Sequence, residues 1–225
     1  MIVDSTNFSI DRLHSSEIIH CKNKSKRSQR YSHLTHALKK VSLPGHVMEF
    51  GVYQGLTLKI ISNHFSNHTV WGFDSFEGLP ETWVMKSDVN ARRSQQPPGK
   101  FALDKQELQV LLNQFSKRKV KLVPGWFNQT VVPWMNDNPG VVSFLHVDCD
   151  LYSSTLDILT LLNDRIVPGT VIVFDEMYPW NDVESYDLWE QGEFRALDEW
   201  IRNHQRSFRT LYRSVHQQCS IEVIV

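Results

Sequence analysis

The chain has 225 residues, 41% of them hydrophobic, and its 24 Lys and Arg against 25 Asp and Glu give a formal net charge of −1. That length and apolar content supply one substantial core, so a single α/β-sized domain over 1–225 is expected and a second full domain is not. A near-neutral balance, with a pI of about 6.8, offers no global attraction to nucleic acid or to an anionic membrane surface.

Cys21, Cys149 and Cys219 form an odd set without metal-ligand spacing and are read as free thiols in a reducing compartment. The opening MIVDSTNFSIDRLH has no basic segment leading into an apolar one, and no apolar stretch reaches the ~18 residues that span a bilayer. A soluble, cytoplasmic protein is expected, and the N-x-S/T triplets at Asn67 and Asn128 carry no weight without a secretory route.

In chain order, residues 1–44 read as a loose start followed by a helix bearing Leu34, Leu38 and Val41. The basic run in CKNKSKRSQR is taken as a solvated face, with a phosphate-binding patch as the alternative and a lid role left open. From His46 the pattern changes to short apolar runs, HVMEFG, TVWGFD, VKLVPG, VVSFLHVD and TVIVFDE, separated by helix-like segments. Such runs suit strands buried on both faces of a parallel sheet built from βαβ units. The polar interval 84–102, with Pro97, Pro98 and Gly99, is long for a connector and is a candidate substrate loop. DKQELQVLLNQF then opens with Asp104 and Glu107 at capping-box spacing. The end, FRTLYRSVHQQCSIEVIV, reads as a closing antiparallel hairpin, and no internal repeat is present.

The chemistry concentrates where these strands end. Glu49, Gly51 and Gly55 form E-x-G-x-x-x-G at a strand-to-helix turn, which admits either a close ligand or an ordinary tight turn and differs from the G-x-G-x-x-G of dinucleotide sites. Asp74 ends the next strand, at the distance where doubly wound folds place an acid that accepts ribose hydroxyls; capping of the following helix is the competing role. Asp148 and Asp150 follow one strand, Asp175 and Glu176 the next. On adjacent parallel strands these acids would repel one another and raise their own pKa values unless a cation neutralised them. An oxygen-only set indicates Mg²⁺, Mn²⁺ or Ca²⁺ and not zinc; helix caps and water-facing acids are the structural alternative.

The segments VMEFGVYQGLTLKII, VWGFDSFEGLPE, VPGWFNQTV, LHVDCDLYSSTLDIL and VPGTVIVFDEMYPW, across residues 45–200, resemble the macrocin O-methyltransferase (TylF-like) family. The resemblance implies a Rossmann-like class I methyltransferase fold: a seven-stranded, mostly parallel sheet with a C-terminal antiparallel hairpin and an N-terminal helical lid. It implies S-adenosylmethionine as cofactor, with Glu49, Gly51, Tyr53 and Gly55 on its methionine side, Asp74 and Ser75 at the ribose, Gly125 and Trp126 near the adenine, and Asp148 at the junction with the metal. It puts metal ligands at Asp148, Asp175 and Glu176, the last standing where relatives have a shorter acid or amide. Arg195 and Asp198 fall in a segment like the acceptor side of the family, although an exposed amphipathic face explains them better.

The implied reaction methylates a hydroxyl of a sugar-containing small molecule, with a vicinal diol suited to two neighbouring metal positions; nucleic acid and membrane are not expected partners, and homo-oligomerisation is left open. Relatives with a catechol-type site carry a lysine where this chain has Leu151, which leaves Asp148, Asp150 or a lid histidine as the base, Asp148 being the first choice. His146, inside an apolar strand, is read as a core residue, and Trp83, Trp126, Tyr178 and Trp180 as either cleft walls or core. An NAD(P)-dependent oxidoreductase and a non-catalytic binding protein on the same fold are the competing classes.

Overall fold

Apolar runs bounded by turns become strands, and segments with apolar residues three and four apart become helices, in the computed structural model, which describes residues 2–14, 17–19, 25–88, 90, 94–115, 118–179 and 186–225. The strands are β1 (Ile2–Val3), β2 (Glu17–Ile19), β3 (His46–Phe50), β4 (Val70–Asp74), β5 (Trp83–Val84), β6 (Gln95–Gln96), β7 (Val120–Pro124), β8 (Val142–Val147), β9 (Ile166–Phe174), β10 (Phe208–Ser214) and β11 (Cys219–Val223). The helices are α1 (Ile10–His14), α2 (Lys26–Leu38), α3 (Leu56–His64), α4 (Lys105–Phe115), α5 (Phe127–Asp137), α6 (Tyr152–Leu161) and α7 (Glu193–His204).

The main sheet runs β1-β10-β11-β9-β8-β3-β4-β7, with β2 also pairing β10. Strands β7, β4, β3, β8 and β9 are mutually parallel, and the β10–β11 hairpin closes the sheet antiparallel against β9. This is the expected doubly wound sheet with two short additions, β1 and β2, from the N-terminal segment. They cover the otherwise open edge of β10 and satisfy its backbone groups, so the segment expected as a helical lid is mixed strand and helix. Strands of two and three residues are too short to show periodicity, which is why the sequence did not reveal them.

Period-two alternation sorts side chains between two cores. Val47, Phe144, Val171 and Val173 pack with Leu34 and Leu38 of α2, Leu58 and Ile61 of α3, and Leu111 and Phe115 of α4. Phe50, Leu145, Val147 and Phe174 face Trp134 of α5, Ile158 and Leu159 of α6, and Leu197 and Trp200 of α7. Each fully buried side chain of this size contributes about 1.5–3 kcal/mol by leaving water. The same alternation puts Glu49, His146 and Asp175 on the α2 side, where three ionisable groups stand in line with buried valines and phenylalanine.

The interval 84–102 is in part a small hairpin, β5 pairing β6 antiparallel. Asp104 caps α4 as its spacing predicts: its carboxylate accepts the Gln106 and Glu107 N–H groups at 2.8 Å each, and its own N–H donates to Glu107 Oε2 at 2.9 Å. Cys149 and Cys219 are buried free thiols, and Cys21 lies outside the described residues. Among the described residues no helix is long and apolar enough to cross a membrane.

Candidate active site

The chain proceeds from β3 outward to β4 and β7, then returns to β8 and β9 on the other side of β3. A crevice opens at the carboxyl ends of strands where order reverses in this way. Here it is a cleft of about 1480 Å³. Backbone hydrogen bonds align the strand ends along its floor: Gly51 N–H to Phe73 O, Asp148 N–H to Phe50 O and Asp175 N–H to Val147 O, at 2.9–3.0 Å.

On the β3–β4 side Asp74 Oδ2 accepts the Val52 and Tyr53 N–H groups, both at 2.8 Å, and Oδ1 accepts that of Phe76 at 2.7 Å. Asp74 therefore holds the glycine turn and caps its own turn, not a helix, and its carboxyl group, which lines the cleft, spends three of about four acceptor positions on backbone amides. Gly51 has φ +87°, and a Cβ there would lie 1.8 Å from the Asp148 carbonyl oxygen. This glycine is dictated by contact between the two sides of the crevice as well as by any ligand. Gly55, φ +72°, has no room for a Cβ beside Leu111 and Phe115, so its smallness serves the packing of α3 on α4. Ser75 Oγ accepts the Glu77 N–H at 3.1 Å and donates to Gly78 O.

On the β8–β9 side the acids come together. Ligand oxygens of Asp148, Asp175 and Glu176 lie within 4.8 Å of one another. Arg30, from the first half of α2, forms an ion pair with Asp148 and places Nε 2.9 Å from Asp175 Oδ1. His146 Nδ1 lies 2.8 Å from Glu49 Oε1, and its Nε2 3.8 Å from Asp175 Oδ1. Burial disfavours charge on His146, but contacts with Asp175 and Glu49 overcome it and raise the imidazole pKa to about 10. Behind them Glu193, fully buried, accepts the Glu176 N–H at 2.9 Å.

These surroundings divide the acids. Burial first, then Asp148 and Asp175, pushes Asp150 up to about 8. Burial raises Asp148 as well, with Arg30 offsetting part of the effect. Glu176 and Glu193 are pushed well above the usual carboxylate range by burial and by neighbouring acids. Asp175 goes the other way: burial opposes its charge, yet Arg30 and His146 hold its pKa below the ordinary value. Glu176 Oε2 is buried without a hydrogen-bond partner among the described residues. An all-oxygen triad carrying an orphaned carboxylate oxygen fits a hard divalent cation.

Gly51, Tyr53, Asp74, Ser75, Trp126, Asp148, Asp150, Asp175 and Glu176 line the cleft, whereas Glu49, Gly55 and Gly125 stand behind its surface. Glu49 is fully buried, its Oε1 2.8 Å from His146 Nδ1, and it groups with His146 and Asp148 within 4.8 Å. Asp150 sits at φ +65° beside the Leu151 that opens α6, so it projects into the cleft and does not cap the helix. Trp83 and Trp126 form walls, Tyr178 fills the core, and Trp180 lies outside the described residues. Arg195 stacks over the Tyr152 ring at 4.3 Å and Asp198 pairs with Arg202, on the outer face of α7 and away from the cleft.

Three features were missed in the sequence. Arg30 is not on a solvated face, because the helix bends its side chain onto the acid cluster. His146 is a core residue, but one set between the carboxylates of Glu49 and Asp175, and Glu193 lies within GEFRALDEW, where only Arg195 and Asp198 were singled out.

Residues 20–199 match the macrocin-O-methyltransferase (TylF) family. Among curated relatives, the demethyldecarbamoylnovobiocin O-methyltransferase of Streptomyces niveus is 32% identical over 177 residues, 71% of this chain and 63% of that protein. The 8-demethyl-8-(2,3-dimethoxy-alpha-L-rhamnosyl)-tetracenomycin-C 4'-O-methyltransferase of Streptomyces olivaceus is 28% identical over 142 residues, 60% of this chain and 53% of that protein. The chain thus spans between about half and somewhat under two thirds of the length of these relatives. The crystal structure of the calicheamicin methyltransferase CalS11 superposes with a TM-score of 0.67 at 23% identity, covering 89% of this chain and 80% of that one, which shows a shared fold. With the family matched through both sides of the crevice, the chain belongs to the macrocin-O-methyltransferase (TylF) family.

Proposed function

We propose that the protein transfers the methyl group of S-adenosylmethionine to a hydroxyl of a sugar or glycosylated small molecule, and that it does so with a divalent cation, Mg²⁺ foremost, at Asp148, Asp175 and Glu176. The observation that carries this reading is one cleft in which an amide-anchored Asp74 and a cation-seeking acid cluster face each other across Gly51. The names of the relatives support a glycosylated acceptor, since one is a methyltransferase of a rhamnosyl-bearing compound.

When bound, the cofactor supplies a methyl on a positively charged sulfur and the cation supplies Lewis acidity toward an acceptor oxygen. The protein's own residues do the rest. Asp74, with Ser75 beside it, offers its remaining acceptor position to ribose hydroxyls, and the Trp126 ring offers a flat apolar face to adenine. Trp83 and Met85 near the β5–β6 hairpin, with Tyr31 of α2, line the cleft and would wall the acceptor in, which supports an acceptor-facing role for that hairpin. An acceptor with two adjacent hydroxyls suits the triad.

Transfer to oxygen requires that the hydroxyl lose its proton. Asp150 is placed to take it, because its carboxyl lines the cleft while Asp148 is engaged by a cation; with its pKa held at about 8 by burial and by Asp148 and Asp175, it must first be ionised, which a cation bound among those acids would favour. Acceptor and sulfonium held in line account for much of the remaining rate, since alignment supplies roughly 7–11 kcal/mol in well-oriented reactions.

The test is incubation of the full chain with isotopically labelled cofactor, Mg²⁺ and a panel of glycosylated acceptors, followed by mass spectrometry to locate the methyl. Transfer to a sugar hydroxyl is expected, abolished by EDTA and restored by Mg²⁺. Asp150→Asn should lower turnover about 10²–10⁴-fold with cofactor affinity unchanged. Absence of cofactor binding in calorimetry overturns the reading, and full turnover in a chelated sample removes the metal from it.

A further inference from the structure

Arg30 enters the acid cluster from α2 and contacts two of its three grouped carboxylates. A guanidinium does not lose its proton at any ordinary pH, so it leaves a site only by moving. Its hold on Asp175 is one of charge more than of direction: Nε is 2.9 Å from Oδ1, yet the geometry makes no proper hydrogen bond at either atom. It also leaves the cluster incompletely matched, because Glu176 Oε2 has no hydrogen-bond partner among the described residues. The helix that carries it is anchored unevenly. Leu34, Ala37 and Leu38 are buried in the core, and His33 Nε2 lies 3.2 Å from the Tyr212 carbonyl oxygen. The first turns present Arg27, Arg30 and Tyr31 to the cleft.

We infer that Arg30 is a stand-in for the divalent cation: it occupies the carboxylate cluster when no ion is bound, and an ion enters by displacing it, which frees the first turns of α2 from the cleft. This rests on the cation site of the proposed function and adds a moving part to it. A monovalent and a divalent cation cannot both sit among these few oxygens in a largely buried setting, because their mutual repulsion is poorly screened there. Ion binding is thereby coupled to opening of the cleft, and the apparent ion affinity is reduced by whatever fraction of molecules holds Arg30 in place.

The experiment titrates Mn²⁺ into the cofactor-free 225-residue chain by electron paramagnetic resonance, comparing wild type with Arg30→Met and Arg30→Lys, and follows amide hydrogen exchange with and without saturating Mn²⁺. Arg30→Met should bind Mn²⁺ about ten-fold or more tightly than wild type, and Arg30→Lys close to wild type. Saturating Mn²⁺ should accelerate exchange over residues 25–31 of the wild type and leave residues 34–38 protected. Loss of a positive charge alone would tighten ion binding, so the exchange measurement is the one that reports displacement. Equal affinity in wild type and Arg30→Met, or unchanged exchange over 25–31, overturns the inference while leaving the cation site standing. Mn²⁺ that binds to none of the proteins overturns both. Should Arg30→Met fail to fold, the wild-type exchange result decides alone.

Discussion

The two sides of the crevice handle buried negative charge in opposite ways. Asp74, closing β4, is met by backbone amides of Val52, Tyr53 and Phe76, whereas Asp148 and Asp175, closing β8 and β9, are met by the side chains of Arg30 and His146. Amide donors are placed by the fold itself, so holding them costs no side-chain freedom and they cannot be exchanged. A side chain such as Arg30 must be ordered, at a cost of up to ~2 kcal/mol of rotamer entropy, and it can leave. One side is therefore fixed by the backbone, and the other is held by side chains that can be displaced.

Breaking the contact between them should have the largest effect. Gly51→Ala puts a Cβ against the Asp148 carbonyl at a backbone angle that L-residues resist, with φ +87°. A loss of about 3 kcal/mol or more is expected, seen as a melting point lower by roughly 6–12 °C, with cofactor and Mn²⁺ affinities falling together. Wild-type stability with both affinities intact would show that the sides are independent.

Asp74→Asn tests the backbone-held side alone. One face of the amide becomes a donor and meets N–H groups that were accepted before, a mismatch worth about 1–3 kcal/mol. Cofactor affinity measured by calorimetry should drop about ten-fold, the equivalent of one lost hydrogen bond, while Mn²⁺ affinity stays unchanged. A parallel drop in Mn²⁺ affinity would mean that Asp74 also shapes the acid cluster.

What the sequence made legible follows the same division. The positions of Gly51, Asp74, Asp148 and Asp175 at strand ends could be read because apolar runs, turns and spacing are local signals, and a parallel sheet then brings those ends together. The partners that neutralise the acids are not local. Arg30 is 118 residues from Asp148, and His146 is 97 from Glu49. A basic run looks the same whether its arginines point to water or to a carboxylate, and a histidine in an apolar strand looks the same whether neutral or charged. Glu49 shows the limit from the other side: its position at a strand end was read correctly, but which face it occupies sends it to His146 and behind the cleft surface.

The smallest effect is expected at Asp104, which resembles Asp74 in accepting backbone amides but does so at the exposed start of α4. Asp104→Ala removes the cap, and denaturant unfolding should register about 1 kcal/mol. Because α4 meets the crevice at its far end, where Leu111 and Phe115 pack beside Gly55 and Gln114 donates to the Gly55 carbonyl, cofactor and Mn²⁺ affinities should not change. The variant thus calibrates the one at Asp74. If a cap lost on the surface weakened cofactor binding as much as Asp74→Asn does, the effect at Asp74 would be a general loosening of the fold. If binding changes only at Asp74, the carboxylate is felt by the ligand and not merely by the loop it holds.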